Sequence, residues 1–141
     1  MQQRAIRNKK VLLVAKSSLI SVETLLHSIN LSKRMNASLE VLHLLYQVPA
    51  DRAAQSFKEN VASLQTEEPI AYIPVEDDRG ISIETVDYAR NRRNIICVAL
   101  CLKGGGTQST KGIDQEKLNE VSQLLDCPVL LYTDNPANEC K

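Results

Sequence analysis

Three consecutive glycines and a threonine, Gly104-Gly105-Gly106-Thr107, are the residues of this chain best suited to holding a ligand. Glycine reaches backbone conformations that other residues avoid, so such a run can turn several amide N–H groups toward one anion. Lys103 and Lys111 flank the run, and Lys16, Ser17 and Ser18 follow the first apolar segment of the chain. Together these residues would bring positive charge and hydroxyl groups to a phosphate or another anion. A surface loop without a ligand is the plainer reading, because three glycines alone are a weak motif.

Other chemistry has less behind it. The four cysteines, Cys97, Cys101, Cys127 and Cys140, form no Cys-x-x-Cys pair, and His27 and His43 lie far from them in sequence. No metal site follows from that spacing. Cys97 lies inside one apolar run and Cys127 opens another, which predicts buried free thiols. Cys101 is the cysteine that would be exposed near the glycine loop, with Lys103 as the one neighbour able to lower its pKa. Ser17 and Ser18 have no His and acid at a spacing that makes a triad. His27, in the first helix, and His43, in the second strand, read as structural. No catalytic residue is assigned, and an enzyme is the weakest of the readings.

Composition narrows the rest. The 141 residues suit one domain, taken as 1–141, with a lead-in over 1–9 and a tail over 134–141. Hydrophobic residues make up 43%, with no Trp and one Phe, so the core must be aliphatic. Basic and acidic side chains balance at 17 each. A nucleic-acid partner calls for a basic excess, and Arg4, Arg7, Lys9 and Lys10 form only a short solvated lead-in. The longest apolar run, Ile95–Leu102, is far shorter than the ~20 residues a membrane helix needs. No signal segment opens the chain. A cytoplasmic protein without membrane insertion is expected, unless a neighbour anchors it.

The elements that would position these residues alternate. Val11–Ala15 reads as a strand buried on both faces. Ser17, Ser18 and Ser21 offer caps to a first helix with Val22, Leu25, Leu26 and Ile29 on one stripe. It ends near Arg34, with Asn36 as a left-handed terminator. Leu39–Tyr46 is the second strand. After Pro49, Ala54, Phe57, Val61 and Leu64 mark a second helix that Glu67, Glu68 and Pro69 stop. Ile70–Val75 is the third strand, and Pro74 places it at a sheet edge. Asp77, Asp78 and Gly80 turn into a third helix from Ser82 to Arg92, with Ile83, Val86 and Ala89 inward. Arg90, Arg92 and Arg93 suit its C-terminal dipole. Ile95–Leu102 is the fourth strand and Lys103–Gly112 a loop. Asp114 caps a fourth helix with Leu118, Val121 and Leu125 inward, ended by Cys127-Pro128, and Val129–Thr133 is the fifth strand. Single helices between strands require parallel pairing, which predicts an α/β fold with one open five-strand parallel sheet and helices on both faces.

Four strings in order then resemble the universal stress protein family over residues 9–134. They are Lys10-Val11-Leu12-Leu13-Val14-Ala15-Lys16-Ser17-Ser18, the join from Leu31 through Asn36-Ala37-Ser38-Leu39 to His43, Asn94-Ile95-Ile96-Cys97-Val98, and Cys127-Pro128-Val129-Leu130-Leu131. The resemblance implies a Rossmann-like, adenine-nucleotide α-hydrolase-like fold with strand order 3-2-1-4-5. It also implies a homodimer through the fifth strand, with Val129, Leu130, Leu131 and Tyr132 as interface residues.

In such sheets a ligand binds beyond the carboxyl ends of the strands where their order reverses, here between Lys16-Ser17-Ser18 and Leu102–Thr110. The nucleotide-binding branch of the family places an Asp after the first strand and a Gly-x-x-Gly loop with a later Gly-Ser or Gly-Thr around the phosphates. This chain is similar in layout and departs in residues. Lys16 stands at the Asp position and Ser17 at the glycine after it. Ala99 replaces the small glycine commonly ending the fourth strand. Gln115-Glu116 replaces the Gly-Ser pair, and a carboxylate there repels phosphate. The resemblance therefore implies a regulatory or stress-response protein with a degenerate nucleotide site, no cofactor and a protein client. ATP, AMP or another anion bound at Lys16, Ser17, Ser18, Lys103–Thr107 and Lys111 is the alternative.

Overall fold

A computed structural model describes residues 9–66, 69–76, 80–92, 94–102 and 109–132. The strands are β1 (Lys10–Ser17), β2 (Ser38–Leu45), β3 (Ala71–Glu76), β4 (Ile95–Leu102) and β5 (Val129–Tyr132). Four helices alternate with them: α1 (Val22–Arg34), α2 (Ala50–Leu64), α3 (Ile81–Arg90) and α4 (Ser109–Leu124). The strands form one sheet in the order β3-β2-β1-β4-β5, and every neighbouring pair is parallel. The α/β fold, the all-parallel pairing and the edge position of the Pro74 strand are as the sequence predicts.

Alternation along β1 builds two cores. Val11, Leu13 and Ala15 pack with Leu25, Ile29 and Phe57, on the face that α1 and α2 cover. Leu12 and Val14 pack with Ile81, Val86, Ala89 and Val121, on the face that α3 and α4 cover. A strand between two helical layers has no polar face to spare, hence the unbroken apolar run. The pairing of β1 with β4 slips once: Lys10 pairs with Ile95 but Val11 with Cys97, which leaves Ile96 bulged.

Several inward positions differ from the periodic reading. In α1, Leu25 and Ile29 are buried while Val22 and Leu26 are exposed, and Thr24, Ser28 and Ser32 take the remaining inward places. Small hydroxyl residues are tolerated there because the helix satisfies them itself. Ser28 donates to the Thr24 carbonyl at 2.9 Å and Ser32 to the Ile29 carbonyl at 2.8 Å. In α2 the buried positions are Ala53 and Phe57, with Ala54 only half-buried. In α3, Ile81, Thr85, Val86 and Ala89 face inward, and Ile83 is 50% exposed. Two residues past Ile81 is more than half a turn of helix, so Ile83 cannot share its face. Finally, α4 starts at Ser109, so Asp114 lies inside the helix rather than capping it. Gly112 also falls within α4; one glycine costs a helix only about 1 kcal/mol.

The ends of these elements follow local chemistry. Ser21 caps α1, its hydroxyl oxygen accepting from the Thr24 amide at 3.1 Å. Asn36, with φ 57°, turns the chain after α1 toward β2.

Candidate functional site

Strand order reverses between β1 and β4, whose carboxyl ends meet where Lys16 lies beside Leu102. Lys16 is half-buried, and by strand alternation it lies on the same face as Leu12 and Val14, toward α3 and α4. Ser17 is buried and Ser18 is exposed. Their hydroxyls are donated to main-chain carbonyls: Ser17 to Leu19 at 2.8 Å and Ser18 to Tyr46 at 2.8 Å. The Tyr46 amide in turn donates to the Ser17 carbonyl at 3.3 Å. These bonds stitch the β1–α1 turn to the end of β2.

Beneath that turn lies a histidine that spacing alone does not connect to it. His43 is 1% exposed, and Nε2 lies 2.8 Å from the Ser17 carbonyl oxygen while Nδ1 lies 2.6 Å from the Tyr72 hydroxyl. A carbonyl can only accept, so the proton sits on Nε2 and Tyr72 donates to Nδ1. The Tyr72 ring stacks on Phe57 with centroids 4.2 Å apart. Burial holds the His43 pKa below its usual value, against the opposing pull of the Ser17 carbonyl. Burial also pushes Tyr72 up to about 12. Ser17 and His43 are thus neighbours without being a nucleophile and its base. The imidazole bonds the serine's carbonyl, and the serine's own hydroxyl points to Leu19.

Cys101 is not presented to solvent as the sequence reading had it. It is 5% exposed, with Sγ 3.9 Å from Thr24 Oγ1 on α1. Cys97 is buried and Cys127 half-buried, and burial raises both thiol pKa values. His27 lies on the exposed side of α1. No three or more metal-ligating side chains gather among the described residues.

Of the other site candidates, Lys103, Gly104, Gly105, Gly106 and Thr107 lie outside the described residues. Lys111 falls in the first turn of α4. Glu116, at the position where the family pattern has Ser or Thr, is exposed on α4. Leu19 and Tyr46, which the sequence reading did not take as site residues, are 45% and 50% exposed at the β1–α1 turn and just past β2.

At the far edge, β5 pairs only with β4 among the described strands. Leu130 is 40% exposed, while Val129 and Leu131 pack against the core of the α3–α4 face. Tyr132 is the last residue of β5 and pairs with Cys101. No helix among the described residues is long and apolar enough to cross a membrane. Comparison with protein-family models, curated proteins and solved structures found no match to this chain.

Proposed function

We propose that this chain is a non-enzymatic domain of the universal stress protein type, regulatory or stress-responsive, that acts as a homodimer through β5 on a protein client. Its nucleotide site is degenerate. The observation that carries the reading is the sheet order β3-β2-β1-β4-β5, with Lys16 and Ser17 at the reversal point. A lysine and a committed serine hydroxyl stand where a nucleoside-holding carboxylate and a glycine belong in the nucleotide-binding branch. The edge strand supports the dimer, because an apolar strand edge left open recruits other chains.

Two measurements test the proposal. Sedimentation at micromolar concentration should give a dimer, and a monomer would overturn the assembly. Melting with millimolar ATP or AMP should leave the midpoint unchanged. A ligand at about 100 times its Kd would add about 2.7 kcal/mol, so a clear upward shift would instead favour a nucleotide-binding switch at the crevice.

A further inference from the structure

One imidazole ties together three strands of unequal anchorage. His43 of β2 donates from Nε2 to the Ser17 carbonyl of β1, and its Nδ1 accepts from the Tyr72 hydroxyl of β3 at 2.6 Å. β1 and β2 are buried along most of their length, whereas every residue of β3 is half-buried or exposed. β3 is also an edge strand, paired with β2 alone among the described strands. Beside that ladder, Tyr72 holds it down, with its ring stacked on Phe57 of α2 and its hydroxyl on the imidazole.

Among the described residues no charge faces the ring to balance a second proton. Lys10 and Lys16 of β1 lie on the other face of the sheet, with Leu12 and Val14. Glu40 of β2 lies on that face too and accepts from the Tyr88 hydroxyl of α3. On α1, Glu23, His27, Lys33 and Arg34 are exposed, as are Asp51, Arg52, Lys58 and Glu59 on α2. Glu76 shares the Tyr72 side of β3 but is exposed at its end. Cys101 lies in the same row with Ala15 between. A proton on Nδ1 would take the place of the Tyr72 proton, so the tyrosine must turn its O–H away and accept instead. The cation would stay buried under β3 without a counter-charge. Detaching β3 removes both difficulties, because water then reaches the ring.

We propose that His43 is an acid-operated latch, whose protonation releases the edge strand β3 from β2 while β1, β2 and β4 stay paired. The device lies at the opposite edge of the sheet from the proposed dimer strand and does not depend on it. Released, the ring has the ordinary pKa of 6.5; closed, burial lowers it. The released population is therefore flat above pH 6.5 and grows by up to about tenfold per pH unit below it, until the closed state takes the proton as well.

Hydrogen exchange of the full chain, corrected for the intrinsic rate at each pH, reads this opening. The protected amides of β3 should exchange before those of β1 and β4 and show the acid rise. His43→Gln keeps a donor and an acceptor on β2 without a titrating ring, and it should abolish the rise. Tyr72→Phe should release β3 about tenfold more often at neutral pH, the loss of one hydrogen bond. It should also shorten the acid rise, because Nδ1 is then free to take the proton in the closed state. Exchange of β3 only together with β1 and β4, or an acid rise unchanged in His43→Gln, would overturn the latch. Where His43→Gln fails to fold, Tyr72→Phe decides alone, and exchange equal to wild type at both neutral and acid pH would overturn it.

Discussion

Both ring nitrogens of His43 are engaged, one by the carbonyl that ends β1 and the other by a hydroxyl from the edge strand β3. Protonating the ring would put a second proton on Nδ1, where Tyr72 now donates, and a charge in a buried position. The folded pKa therefore lies below the ordinary 6.5. The unfolded chain takes up the proton first, so the His43 contribution is present above pH 6.5 and is lost as pH falls through the folded value. Tyr72 acts in the opposite range. Its folded pKa of about 12 exceeds the ordinary 10.0, so its contribution is complete below pH 10 and is lost as pH rises toward about 12. Denaturant midpoints should plateau between these limits and fall on both sides. Tyr72→Phe leaves Nδ1 without a donor and should lower the plateau by about 1–3 kcal/mol. Unchanged stability in that variant would contradict the hydrogen bond.

At the scale of elements, α1 gives the sharpest contrast. Leu25 and Leu26 are adjacent and chemically identical, yet one is fully buried and the other 42% exposed. Leu25→Ala should cost about 2–5 kcal/mol, the range for emptying a packed leucine site. Leu26→Ala should fall within about 0.5 kcal/mol of wild type. Urea melts of the two variants compare them directly, and equal losses would mean that the helix is rotated from its described phase. The apolar stripe in the sequence predicted α1 correctly as a helix but not its phase. Val22, Leu25, Leu26 and Ile29 lie on one arc of about 100°, and the buried face is turned from that arc toward Thr24, Ser28 and Ser32, which leaves Val22 and Leu26 outside.

The whole molecule joins a sheet buried on both faces in its middle to two unlike edges. Pro74 cannot donate to another strand and blunts the β3 edge. Among the described residues β5 has no such device, and Leu130 stands exposed on it. If β5 is the dimer edge, Leu130→Lys should shift the sedimentation equilibrium toward monomer while leaving the far-ultraviolet circular dichroism unchanged. A charge on an edge strand discourages pairing without disturbing the core behind it. Dimerisation as strong as in wild type would move the interface away from β5.

Taken alone, the sequence determined the alternation of strands and helices, the parallel pairing that single-helix crossovers impose, and the edge place of the Pro74 strand. These follow from short-range pattern: apolar runs too short for helices, apolar spacing of three and four, and a residue with no amide proton. The meeting of His43 with Tyr72 and Ser17 was decided only by tertiary structure, since parallel register sets which side chains of β1, β2 and β3 come level. So was the burial of Cys101, which its position at the end of a strand beside a glycine loop suggested would be exposed and which packs instead near Thr24 of α1. A cleft at Arg90 and Arg92 arises in the same way. Its lining comes from two separate segments, Ala89–Ile96 and Leu124–Pro128, and only the folded sheet brings them to one end.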